Sequence, residues 1–88
     1  MSSEEDDDGI DLRVLGHELQ RARVAKGYSL TDLVSHTGIA KATLHRYEMA
    51  QTNHTIRHLV KIARALDVPL SRLVSVLDEP PQDQKRGG

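Results

Sequence analysis

Residues 29–48 read SLTDLVSHTGIAKATLHRYE, and this stretch decides the fold. Ser29 is a strong N-cap residue type, and Asp32 three positions on completes a capping box while placing negative charge in a first helical turn. Leu33 is the core anchor of the short helix that follows. Thr37-Gly38 closes it, since glycine takes the positive φ that a sharp turn needs. A second short helix is predicted from about Lys41 to Met49, with Leu44 and Tyr47 pointing inward and Ile39 packing from the turn. Its outward face carries Lys41, Ala42, His45 and Arg46. The stretch is therefore two short helices joined by a glycine turn, the second of them basic.

The flanking sequence supplies a frame for this pair. Leu15, Leu19 and Ala22 fall at i, i+4 and i+7, predicting a first helix from about Leu12 to Lys26 with Gly27 as its stop. On the other side, the polar segment Gln51-Thr52-Asn53-His54 leads to Thr55 as N-cap of a fourth helix, with Ile56, Leu59, Val60, Ala63 and Leu66 on one face. Asp67-Val68-Pro69 breaks it. A fifth helix is predicted from about Leu70 to Val76, with apolar positions at Leu70, Leu73, Val74 and Leu77. Five short helices with tight links make an all-α domain over residues 10–77. Residues 1–9, with Glu4, Glu5, Asp6, Asp7 and Asp8, read as a disordered acidic arm. Residues 78–88, DEPPQDQKRGG, read as a disordered tail, because paired prolines and terminal glycines disfavour helix.

The 88 residues suffice for one domain with a modest core. A formal net charge of -1 hides an uneven layout. Residues 12–77 hold ten Lys and Arg against four acids, a balance of +6, so the domain is basic and its flanks acidic. There is no cysteine, hence no disulfide framework, no thiolate zinc site and no thiol nucleophile. The chain opens without a cationic start and apolar run, and no window approaches a membrane span. An intracellular, cytoplasmic protein with no membrane contact is expected.

Two helices, a glycine turn and a basic second helix form a helix-turn-helix, which points to DNA. The segment from Leu15 to Leu73 resembles the phage-repressor-like helix-turn-helix family, also called Xre-like or Cro-type. The likeness runs through several elements in order: the basic first helix ending in Lys26-Gly27-Tyr28-Ser29, Leu33, the turn Gly38-Ile39, Thr43-Leu44-His45-Arg46-Tyr47-Glu48, Leu59, Ile62-Ala63, and Ala65-Leu66-Asp67-Val68-Pro69-Leu70. The resemblance implies a five-helix, lambda-repressor-like DNA-binding domain whose third helix lies in the major groove. Carried over by position, Lys41, Ala42, Thr43, His45 and Arg46 face the bases. Lys41 and Arg46 suit guanine O6 and N7, and Ala42 suits a thymine methyl. Phosphate contacts fall to the backbone N–H groups of Leu30 and Thr31, to Gln51, Thr52 and Asn53, and to Arg57. The resemblance also implies an ion pair between Arg23 and Glu48 that sets the angle of the third helix.

The sequence departs from the family pattern at four places. Leu30 stands where a glutamine is usual, Val34 where a small alanine is preferred, Ala40 where Ser or Thr often caps the third helix, and Met49-Ala50 where glycine is common.

A sequence-specific, repressor-type transcription regulator reading a palindromic operator is the expected function. Val74, Val76 and Leu77 are the expected homodimer seam, because a dimer reads two half-sites one helical turn apart. The alternative is a protein-interaction module, antitoxin-like or regulator-binding, that uses the same fold and receives a protein partner on its last apolar helix. Catalysis and metal binding fit poorly. Of His17, His36, His45, His54 and His58, His17-Glu18 lacks the second histidine of a zinc-protease helix. His54 and His58 have ligand spacing but straddle the N-cap at Thr55. No metal and no cofactor is expected. The acidic residues 4–8 read as a solvating tail, the sharper alternative being that they compete with DNA for the basic face.

Overall fold

Asp11 accepts a hydrogen bond from the Arg13 backbone N–H (3.0 Å) and so caps the first helix. In the computed structural model, which describes residues 11–78, five helices follow: α1 Leu12–Lys26, α2 Leu30–Thr37, α3 Lys41–Glu48, α4 Ile56–Leu66 and α5 Leu70–Val74. A single 3-10 turn, Ser75–Leu77, closes the described chain, and no strand occurs among the described residues. The expected acidic arm and all of the expected tail but Asp78 lie outside the described residues.

Local chemistry explains the boundaries. Both halves of the capping box form at α2: Ser29 Oγ accepts from Asp32 N–H (3.0 Å), and Asp32 accepts from Ser29 N–H (2.9 Å). Thr55 Oγ1 accepts from His58 N–H (3.2 Å) and caps α4. Gly27 (φ 85°) and Gly38 (φ 76°) take the left-handed conformation that ends α1 and α2. Two other helices end the same way without glycine. Ala50 (φ 57°) ends α3, where Gln51 N–H reaches Arg46 O (2.8 Å) and Ala50 N–H reaches Tyr47 O (3.1 Å). Asp67 (φ 61°) ends α4 with the equivalent bonds from Val68 to Ala63 and from Asp67 to Arg64.

The core is one cluster drawn from every helix. Leu15 of α1, Leu44 of α3, Ile62 of α4 and Leu73 of α5 are its fully buried centre, joined by Leu19, Leu33, Ile39, Tyr47, Leu59, Ala63 and Leu66. α1 packs on α3, α5 and the terminal 3-10 turn, and α2 bridges α3 and α4. Each buried leucine contributes about 1.5–3 kcal/mol relative to exposure, so the helix pair is held chiefly by this shared core.

Three expectations need correction. Ile56 was expected on the buried face of α4 but is 64% exposed. It opens the helix, where a side chain projects past the core, and the buried stripe is Leu59, Ile62, Ala63 and Leu66, with Val60 half-buried. α3 ends at Glu48, with Met49 as cap, one residue short of the expected limit. α5 ends at Val74, because so short a helix tightens to i→i+3 bonds in its final turn.

Candidate nucleic-acid interface

α3 buries Leu44 and Tyr47, and its geometry then dictates what faces outward. Lys41, Ala42, His45 and Arg46 are exposed, while Thr43 is half-buried at the edge of this face. The spacing i, i+1, i+4, i+5 keeps the four exposed residues together on one side. Ala40 makes no side-chain cap, as its methyl predicts, and α3 begins without a hydroxyl over its first amides. A missing cap costs about 1 kcal/mol.

The basic character of this face depends on what happens to the nearby acids. Between Ser29 and Arg57 the only carboxylates are Asp32 and Glu48. Asp32 is engaged by the α2 cap, and Glu48 by Arg23. Arg23 donates from Nε to Glu48 Oε2 (2.6 Å) and from Nη2 to Glu48 Oε1 (3.0 Å), and its Nη1 donates to the Tyr28 carbonyl (2.7 Å). The two side chains are 12% and 5% exposed. The hydrogen bonds to Glu48 raise the Arg23 pKa above its ordinary value, so the guanidinium is a permanent charge. This fork-to-fork pair ties α1 to the end of α3 and leaves no carboxylate to neutralise Lys41 or Arg46. Neither cation, nor Arg57, forms an ion pair among the described residues.

The expected phosphate donors lie at the start of α2, in the α3–α4 link and in the first turn of α4. Leu30 and Thr31 are the first two residues of α2, whose N-terminal amides have no helical acceptor. The Leu30 side chain packs on the core, so only its backbone is available for such a contact. Gln51, Thr52 and Asn53 are exposed in the α3–α4 link, and Arg57 is exposed in the first turn of α4. At the other end, Val74 and Val76 are half-buried against the core, while Leu77 is 36% exposed. Val76 shares a shallow groove with Val14 of α1, itself 41% exposed.

Residues 14–75 match the family model described as a helix-turn-helix domain. The chain belongs to this helix-turn-helix family. Among curated relatives, the HTH-type transcriptional regulator SinR of Bacillus licheniformis is 37% identical over 71 residues, spanning 80% of this chain and 64% of SinR. The chain thus covers somewhat under two thirds of that relative. Two solved structures share the helix-turn-helix fold. The restriction-modification controller protein C.AhdI from Aeromonas hydrophila aligns with TM-score 0.70 and 32% identity, covering 72% of this chain and 96% of that one. The structure of SinR, a master regulator for biofilm formation, in complex with DNA aligns with TM-score 0.64 and 38% identity, covering 68% and 97%.

Two residues that position the helix-turn-helix were missed in the sequence. Gly16 of α1 is buried, and a Cβ there would sit 2.6 Å from the carbonyl oxygens of both Tyr47 and Glu48. The available signal was a glycine inside an otherwise regular helix, which costs roughly 1 kcal/mol and so implies a close approach. Thr37, read only as part of the turn, is buried. Its Oγ1 donates to Leu33 O (2.8 Å) and accepts from Ile39 N–H (3.1 Å), which fixes the link between the two motif helices.

Proposed function

We propose that this chain is a sequence-specific, DNA-binding transcription regulator that reads a palindromic operator as a homodimer and represses by occupying it. The observation that carries this reading is the exposed face of α3, where Lys41, Ala42, His45 and Arg46 stand together while the carboxylates nearest in sequence, Asp32 and Glu48, are taken up by the α2 cap and by Arg23. Lys41 and Arg46 supply guanine-reading donors, Ala42 a methyl contact, and Thr43 and His45 flanking contacts. The backbone of Leu30 and Thr31, the side chains of Gln51, Thr52 and Asn53, and Arg57 supply phosphate contacts that set register without reading sequence. The likeness to SinR, solved in complex with DNA, supports the same use of the fold.

Val14, Val76 and Leu77 offer apolar side chains to the second copy, and Val74 is half-buried against the core. No helix among the described residues is long and apolar enough to cross a membrane. The regulator reading takes the chain as a cytoplasmic protein with a binding role. If a dimer contacts six to ten phosphates, affinity falls about 10³- to 10⁵-fold between roughly 50 and 200 mM salt.

Selection of bound duplexes from a random pool tests this function. Enrichment of a palindromic motif is the expected result. A pool that stays random after repeated rounds would contradict sequence-specific reading and favour the protein-interaction alternative.

A further inference from the structure

Tyr47 of α3 sits between two histidines that the helix-turn-helix face does not use. His54, in the α3–α4 link, stacks on the Tyr47 ring with centroids 4.8 Å apart and planes inclined by 27°. Its Nε2 lies 2.9 Å from the Tyr47 carbonyl, which only accepts, so Nε2 carries the proton. His58, in the first turn of α4, meets the Tyr47 hydroxyl through Nδ1. Its own backbone N–H is held by Thr55 Oγ1. The cluster therefore draws both ends of the 49–55 link onto α3, while Gln51 N–H bonds back to Arg46 O. Exposed between these ties are Gln51, Thr52 and Asn53.

His54 Nδ1 is buried and has no hydrogen-bond partner among the described residues. A proton added there would place an N–H and a charge where nothing accepts them. Stacking on Tyr47 offsets part of that cost but supplies no acceptor. The charged and titratable groups on the packed elements give no help. Glu48 and Arg23 hold each other, Tyr47 and His58 hold each other, and His17, His45, Arg46 and Arg57 are exposed.

We propose that Tyr47, His54 and His58 are positioning residues that set the 49–55 link for phosphate contact, and that they do so only while His54 is neutral. The proposal rests on the DNA-binding reading given above. It makes duplex binding acid-sensitive through a residue that touches no DNA. Burial holds the His54 imidazole below its ordinary value of 6.5, against the Tyr47 carbonyl, which acts the other way. An opened link returns the imidazole to that ordinary value. The preference for the closed link is thus complete above pH about 6.5 and is lost progressively as pH falls below it toward the lowered value.

The test compares the whole chain with His54→Gln, which keeps an N–H donor, and His54→Phe, which keeps a ring over Tyr47; neither titrates. Amide exchange of residues 50–53 is measured without DNA, and affinity for a random-sequence duplex at low salt is measured alongside, both from pH about 7.5 to about 5.5. The three proteins share every other titratable group, so the ratio to the variants isolates His54. The expected result is faster exchange in acid for the native chain alone. Its duplex affinity should fall relative to both variants by up to about tenfold between pH about 6.5 and about 5.5. Parallel pH profiles, or an exchange change with no change in relative affinity, would overturn the proposal. A native chain that binds no duplex at any pH would overturn the functional reading and the phosphate role with it. That failure is told apart because the exchange measurement contains no DNA.

Discussion

Arg23 grips Glu48 through two charge-assisted hydrogen bonds of 2.6 and 3.0 Å while a third nitrogen holds the Tyr28 carbonyl at 2.7 Å. The pair joins the last third of α1 to the final residue of α3 and is almost fully shielded from water. Removing one partner strands the other charge. Arg23→Ala or Glu48→Ala should each cost about 3–5 kcal/mol in denaturant unfolding, whereas an apolar pair of similar volume should cost far less. A double-mutant cycle with additive losses would show that the two side chains act separately.

At Gly16 the backbone of α1 lies so close to the end of α3 that a Cβ has no room. Since the atoms a new Cβ would meet are the carbonyl oxygens of Tyr47 and Glu48, the helices themselves must separate to admit it. Gly16→Ala should therefore destabilise by about 1–3 kcal/mol despite alanine's better helix propensity. At about 4–8 °C per kcal/mol for a domain of this size, a thermal melt resolves the change. An unchanged or raised melting temperature would show that the contact relaxes without cost.

Ala50 ends α3 in the left-handed conformation at φ 57°, where an L side chain costs about 1–2 kcal/mol. Glycine lacks that penalty but loses more backbone entropy on folding. Ala50→Gly should give a net gain of up to about 1 kcal/mol in chemical denaturation. The opposite sign would mean that the alanine methyl makes a contact worth more than the strain.

Asp32, like His54, loses its contribution on acidification, but in a lower pH range. Its hydrogen bond from the Ser29 backbone N–H, followed by that from the Ser29 side chain, holds its pKa below the ordinary carboxylate value of 3.8. Its contribution to stability is thus present above pH 3.8 and lost as pH falls through the lowered value. Asp32→Asn should flatten this strongly acid part of the stability profile and leave the region near pH 6, where His54 acts, unchanged. An identical acid limb in the variant would show that other carboxylates govern it.

The parts of this fold that were legible in sequence are those whose chemistry is local. The Ser29–Asp32 box, the Gly27 and Gly38 stops and the Thr55 cap join residues within a few positions, so their residue types announce them. The outward set on α3 was equally legible, because Leu44 and Tyr47 fix which side is buried. Arg23–Glu48 is a distant pair and came only through the family likeness. The approach of Gly16 to Tyr47 and Glu48, and the meeting of His54 and His58 on Tyr47, depend on how α1, α3 and α4 pack. Helical periodicity carries no record of that packing, which is also why Ile56 was placed inside and found outside.

If α3 reads bases while its surroundings hold phosphates, Arg46→Ala and Arg57→Ala must fail differently on DNA. Each is titrated against a selected duplex and a scrambled one at equal salt. Arg46→Ala should lose about 1–3 kcal/mol on the selected duplex and little on the scrambled one, whereas Arg57→Ala should weaken both alike. Equal losses on the two duplexes for Arg46→Ala would contradict the account.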